Sequence, residues 1–373
     1  MASTTTVNWG IISCGKISWD FCRAFAFLPS DLPFNSVVKS CAARSAADAE
    51  TFSKDISAHL GYAPTPCDSY SSLLSDSSLD VIYIGSVHGY HFDLCKLALN
   101  MGAKAVLCEK PLTCSAAETA ELVSLASSKG AFFMEGLWTR CFPAARKVRD
   151  VLSSGVLGPV SYVSCDFGWG SSGCDSDHRI FEPNTGGYTF DIGQYCAHWA
   201  LMAYGGRPVN KVFASGSVVA GVDHTVAASV FFGAADAAQA ADKEDGGGGG
   251  GVLQFLLTGD ATTEERLVIQ GSRGRVVVNA PHHVPTSVSV IMNTGKADKT
   301  QEFVQEFAFP LPVEQEPAGK WNFGGSVGFI YEIEEVGRCV TLGKKQSDCF
   351  TTKESIAMAK ILGEIRAQVL GNN

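Results

Sequence analysis

The chain has no apolar run long enough to span a bilayer, and its start, MASTTTVNW, lacks the basic residues and apolar core of a secretory leader. Positive charge is scarce: 29 Lys and Arg stand against 38 Asp and Glu, a formal net charge of -9. That balance, with no basic stripe carrying interleaved aromatics, argues against nucleic acid or an anionic membrane as partner. Cysteine is plentiful at 13, but there is no C-x-x-C pair and the count is odd, so neither a disulfide framework nor a zinc site is expected. Single thiols such as Cys14, Cys22, Cys95, Cys108 and Cys196 fall in strand-like and helix-like stretches, where a reduced thiol packs as a small hydrophobe. The expectation is a soluble, cytoplasmic protein in a reducing compartment.

What is present is enough apolar chain for two domains: 373 residues, 46% hydrophobic and 18% charged. The first 140 or so alternate strand-like and helix-like segments. VNWGII (Val7 to Ile12) leads through SCG into a helical stretch from Lys16 to Leu28, and VVKSCAA (Val37 to Ala43) reads as a second buried strand. DVIYIGS (Asp80 to Ser86), AVLCE within AVLCEKP (Ala105 to Pro111) and AFFMEGLW (Ala131 to Trp138) supply three more, with a helix from about Ala116 to Lys129 between the last two. This pattern predicts a doubly wound parallel sheet, an α/β domain. Gly10 and Gly15 do not have the G-x-G-x-x-G spacing, yet Gly15 lets the backbone and a helix N-terminus approach a pyrophosphate. Arg44, at the tip of the second strand with no acid beside it, suits the 2′-phosphate of NADP. AVLCEKP holds its charges to the strand end, which directs Lys110 toward the ligand crevice of such a sheet. His88 and His91 follow the DVIYIGS strand without a third metal ligand nearby and are read as pocket lining.

The second half is composed differently. After a helix from Ala144 to Leu152 and the segment SYVSCDFGW, a helical stretch runs from Thr189 to Gly206. Alternating segments follow at 212–219, 225–232, 252–257, 267–278, 287–292 and 302–309, then two closing helices over 326–342 and 353–370. The expected architecture is an α+β domain built on a large, open, mostly antiparallel sheet. The division is 1–140 for the nucleotide domain and 141–373 for the substrate and dimerisation domain, with 233–251 a flexible glycine-rich loop of no assigned role.

WGIISCGKIS, AARS, CEKP and MEGLWTRCFP, in that order, followed by GGYTFDIGQYC and GVDHTV, resemble the glucose-fructose oxidoreductase/inositol dehydrogenase (Gfo/Idh/MocA) superfamily over essentially the whole chain. Within it the likeness is to the dimeric dihydrodiol dehydrogenases, which are also NADP-dependent D-xylose 1-dehydrogenases. The resemblance implies cofactor contacts from Gly10, Ser13, Gly15, Lys16, Ile17, Arg44, Ser86, His88, His91, Glu109, Lys110, Trp138 and Arg140. It also implies a homodimer formed on the open sheet face and a last helix that packs back near the first domain.

Asp191 and Tyr195 are four apart on one helix and share a face. The superfamily's usual pair is Asp with His; here Tyr195 takes the His position, as in the dihydrodiol and xylose subgroup. A phenol titrates near 10 in water, and a nearby ammonium lowers that value. The expected catalytic set is therefore Tyr195 as acid/base, Lys110 holding the substrate hydroxyl, and Asp191 orienting Lys110, with Lys110 itself as the competing base. His91, Trp138, Phe167, Arg179 and Tyr195 are the substrate-binding candidates, and Phe142 and Trp169 are further aromatic walls. The expected substrate is a vicinal diol or aldose. A dicarbonyl or keto-sugar reductase and a non-catalytic NADP-binding sensor are the competing readings. GGSVG (Gly324 to Gly328) matches a hydrolase motif, but no preceding strand and no later histidine complete it, and Asp166-Phe167-Gly168 lacks its kinase companions.

Overall fold

A computed structural model describes residues 5–234, 249–293, 302–312 and 321–371. It forms two compact units, one of residues 1–141 with 311–356, the other of 142–310 with 357–373.

The first unit is a parallel sheet of six strands in the order β3-β2-β1-β4-β5-β6. The strands are β1 (Thr5–Ile12), β2 (Phe34–Ala42), β3 (Thr65–Cys67), β4 (Val81–Ile84), β5 (Ala105–Glu109) and β6 (Phe132–Gly136). Every residue of β4, β5 and β6 is buried, as a strand covered on both faces requires. The crossovers use α1 (Lys16–Ala24), α2 (Ala46–Leu60), α3 (Tyr70–Leu74), α4 (His91–Asn100) and α5 (Ala116–Lys129). Ser45 caps α2 by accepting from the Asp48 N–H, and left-handed Gly61 ends it. The expected helix over 16–28 is shorter: α1 stops at Ala24 and passes into a single 3-10 turn, Phe25–Phe27.

The second unit begins with α6 (Pro143–Ser153) and β7 (Val160–Gly168), and its central helix is α7 (Tyr188–Tyr204). The remaining strands are β8 (Val209–Val219), β9 (Val222–Phe232), β10 (Gly251–Thr258), β11 (Leu267–Gly271), β12 (Gly274–Val278), β13 (Ser287–Asn293) and β14 (Glu302–Ala308). They form an eight-stranded sheet in the order β14-β13-β12-β11-β7-β10-β9-β8, in which only the β7/β10 pair is parallel. Helix α7 packs on β7, β9 and β10. Ala220 and Gly221, both with positive φ, make the two-residue turn between β8 and β9.

The segment expected as one strand over 267–278 is a hairpin, because Ser272 and Arg273 turn between Gly271 and Gly274. Most of the glycine-rich stretch, 235–248, lies outside the described residues.

Residues 311–356, which the division into 1–140 and 141–373 counts with the second domain, group with the first unit. They include α8 (Phe329–Thr341), which packs on α1, β1 and β2. The closing helix α9 (Thr352–Gly371) belongs to the second unit from Ala357 onward, where Gln368 bonds the β8 backbone and Arg366 pairs with Asp223. Both α8 and the first turn of the last helix, through Glu354 bound to Arg140, group with the first unit.

Candidate active site

In the first unit, β1 ends at Ile12 and the chain turns through Ser13, whose positive φ (75°) is held by its N–H donating to the Ala42 carbonyl at 2.9 Å. Gly15 caps α1 without a side-chain bond, no acid occupies the first turn of the helix, and a Cβ built on Gly15 would meet nothing within 4 Å. A cavity of about 640 Å³ opens at this point. Ser13, Cys14, Gly15, Lys16, Trp19 and Arg44 line it, with Asp48, Asp55, Tyr70, Trp321 and Asn322 among the other walls. Open space over a helix N-terminus, two basic side chains and flat aromatic walls fit a dinucleotide, with the acids of α2 as the discordant element.

Asp20 holds the far wall. Its carboxylate accepts from the Asn322 and Phe323 N–H groups, the Asn322 amide and the Ser326 hydroxyl, at 2.6–2.9 Å.

Other residues expected at the cofactor have the following places in the fold. Gly10 lies inside β1, where a Cβ would come within 2.7 Å of Leu79, so its task is packing. Ile17 is half-buried in the first turn of α1. His91 is fully buried, with Nδ1 2.9 Å from the Pro111 carbonyl and Nε2 2.9 Å from the Ser86 carbonyl. Burial pushes its pKa down to about 4 against the pull of those carbonyls. His91 thereby ties the ends of β4 and β5 together, with His88 buried in the turn before it. Trp138 packs on Phe329, and Arg140 binds Glu354 and the Cys349 carbonyl and lies over Phe350, so both anchor the returning segment.

Glu109 ends β5 and Lys110 follows it. Glu109 accepts from the Tyr83 hydroxyl at 2.9 Å and from the Lys110 N–H at 3.2 Å. Burial drives its pKa up to about 7, and the Lys110 charge opposes that rise.

In the second unit Gly187 precedes α7 with φ 97°, and a Cβ there would strike the Asp223 carboxylate. Asp223 in turn accepts from the Thr189 N–H at 2.6 Å, which fixes the start of the helix. Asp191 lies in the first turn, 4% exposed; Arg179 Nη1 donates to its Oδ1 at 2.6 Å and the Trp169 indole to its Oδ2 at 3.2 Å. Tyr195, one turn on and 7% exposed, stands 5.6 Å ring to ring from Phe167 and 5.5 Å from His283. His283 was missed by the sequence reading, as was its partner Glu265, whose Oε2 is 2.5 Å from His283 Nδ1. The His-His pair between two prolines, PHHVP, was the available signal.

Two other constellations carry no such chemistry. Cys165, Cys196 and His282 lie close enough to hold a metal ion, but His282 accepts from the Trp199 indole at Nδ1 and donates to the Asp166 carbonyl at Nε2. Ser171, His224 and Asp260 have the composition of a hydrolytic triad at 3.3 and 3.6 Å; the serine is 4% exposed and also near the Gly259 carbonyl, and the carboxylate is largely in solvent.

A parallel sheet with a glycine turn and a cavity over a helix N-terminus at its carboxyl end defines a dinucleotide-binding unit, here joined in one chain to a sheet unit bearing an Asp/Tyr helix. Residues 7–137 match the oxidoreductase family with NAD-binding Rossmann fold, and residues 145–277 match the GFO/IDH/MocA C-terminal domain. The trans-1,2-dihydrobenzene-1,2-diol dehydrogenases of Danio rerio and Sus scrofa are 33% and 32% identical, each over 97% of both chains. Among solved structures, a levoglucosan dehydrogenase in complex with NADH and levoglucosan superposes with a TM-score of 0.77 at 17% identity, covering 99% of this chain and 98% of that one. A 3-ketoreductase from Actinomadura kijaniata with NADP and TDP-benzene gives 0.71 at 20%, covering 98% of each. The chain belongs to the Gfo/Idh/MocA oxidoreductase family and is a dehydrogenase. Among the described residues no helix is long and apolar enough to cross a membrane.

Proposed function

We propose that this dehydrogenase transfers hydride between a vicinal diol or aldose, of the trans-dihydrodiol or D-xylose type, and NADP. The observation that carries the reading is the Asp191–Tyr195 pair on α7, in a chain about one-third identical to dihydrodiol dehydrogenases over nearly its whole length. Arg44 at the cavity supports NADP, since a guanidinium can grip a 2′-phosphate through two donors. The nucleotide, when bound, accepts or supplies the hydride.

In this reading Tyr195 takes the hydroxyl proton, Lys110 holds the hydroxyl oxygen and favours the phenolate, and Asp191 orients the Lys110 ammonium while its own charge is balanced by Arg179. Phe167 and Trp169 suit the face of a diol ring or the C–H face of a sugar. The exposed Tyr162, Phe213, Phe231 and Leu256 of the large sheet support pairing of two copies across that face. The test is the initial rate of reduced-nicotinamide formation from NADP with D-xylose and with a trans-dihydrobenzenediol. We expect turnover of at least one, lost by about a thousandfold in Lys110→Met and Tyr195→Phe. A Tyr195→Phe variant that keeps most of its turnover removes Tyr195 from the acid/base role and leaves Lys110 as the base.

A further inference from the structure

We propose that Glu265 and His283 form a proton relay behind Tyr195, the route by which the proton taken from substrate leaves the site. The inference rests on the assignment of Tyr195 as the acid/base.

Three rings meet here. His283 stacks on Phe167 at 4.7 Å with 29° between planes, and Tyr195 lies 5.5 Å from His283 and 5.6 Å from Phe167. Glu265 Oε2 sits 2.5 Å from His283 Nδ1, so Nδ1 carries the hydrogen and the ring is fixed in one tautomer.

The carboxylate is itself rigidly placed. Glu265 has a positive φ (58°), which a non-glycine residue adopts at a cost, and its backbone is pinned on both sides. Its N–H donates to the Asp166 carboxylate and its carbonyl accepts from the His282 N–H, both at 3.0 Å. His282 is locked in turn between the Trp199 indole and the Asp166 carbonyl. A strained residue pinned at both backbone groups, with its carboxylate on an imidazole that packs against the Tyr195 ring, is the arrangement expected of a functional dyad.

The transfer moves protons only. As the substrate O–H bond breaks, its proton passes to the Tyr195 oxygen; the tyrosine returns a proton to the His283 imidazole, whose cation Glu265 stabilises, and the imidazolium releases it to water. The side chains of His283 and Glu265 are 22% and 12% exposed, so the relay ends at solvent. Besides the Lys110 and Asp191 of the proposed mechanism, Arg179, whose charge interacts with Tyr195, and Asp166, which accepts from the Glu265 N–H, lie beside the phenol and the dyad.

The test uses His283→Ala and the isosteric Glu265→Gln in the full chain, each checked for native folding by circular dichroism. The relay predicts at least a tenfold fall in kcat for His283→Ala and a smaller fall for Glu265→Gln, with the KM for nucleotide unchanged. Imidazole added to the buffer should restore kcat saturably in His283→Ala and do nothing for Tyr195→Phe. Both variants folded with kcat within twofold of the native chain, or a His283→Ala loss that imidazole does not repair, overturns the relay. Should the native chain turn over neither substrate, the functional reading fails by itself. The dyad is then read from the ultraviolet titration of Tyr195, taken as the difference between native and Tyr195→Phe chains. An ionisation that moves in His283→Ala supports the coupling, and an unmoved one overturns it.

Discussion

Glu332 on α8 and Asp191 on α7 are both helical carboxyls out of solvent, and they keep opposite company. Glu332 is fully buried, neither of its oxygens has a hydrogen-bond partner among the described residues, and the charge acting on it is that of Glu109. Desolvation and that like charge push its pKa well above the usual carboxyl value, so it is held as the neutral acid. Asp191 has a guanidinium on one oxygen and an indole N–H on the other, at the start of a helix whose dipole favours negative charge. Burial neutralises Glu332, whereas Asp191 is supplied with the partners of a charge. Only the second arrangement can steer an ammonium or guanidinium near a reacting hydroxyl.

Asp191→Asn is the strongest way to break this contrast. It keeps the shape, removes the charge and leaves Arg179 without its carboxylate; we expect kcat to fall about a hundredfold with the fold retained, from steady-state rates. Full activity would mean that Asp191 serves the helix alone.

Arg44→Glu probes charge in the nucleotide unit at its cavity rather than its core. Loss of charge-assisted bonds worth about 1.5–3 kcal/mol should raise the KM for NADP by about 10- to 100-fold while affecting NAD much less. Equal effects on both nucleotides would remove the 2′-phosphate from the reading.

The smallest effect is on stability. Glu109 and Glu135 are raised to about 7 and Glu332 higher. Unfolded, such groups titrate near 4.3, so above that pH the folded chain binds more protons than the unfolded one and stability falls as pH rises. Glu332→Gln should therefore raise the melting temperature by about 3 °C at pH 8 and by much less at pH 5, measured by thermal unfolding. Equal gains at both values would show that the acid is not held neutral.

The sequence was informative where one local pattern maps to one element. The buried apolar runs of β4 and β5 and the alternation of β9 and β10 could be read directly. The hairpin at 267–278 was lost because β-branched residues continue on both sides of Ser272-Arg273 and hide the two-residue turn. His91, Trp138 and Arg140 carry polar groups, which in sequence look like ligand contacts. Pro111, Ser86, Phe329 and Glu354 give them structural work, and no local spacing announces those pairs. Glu265 and His283 are far enough apart that only the β11/β12 hairpin brings them together.

The four bonds that Asp20 receives from Asn322, Phe323 and Ser326 span just over 300 residues. This sets an order of events during synthesis. The first six strands can emerge from the ribosome and pair early, but the wall carrying Trp321 and Asn322 is made only after the whole eight-stranded sheet has been translated. A nascent chain stalled at residue 141 would bear the glycine turn and Arg44 without the side of the cavity that closes over them. The cavity of the unit that begins first is therefore closed only late in synthesis, and the second unit still waits for its closing helix.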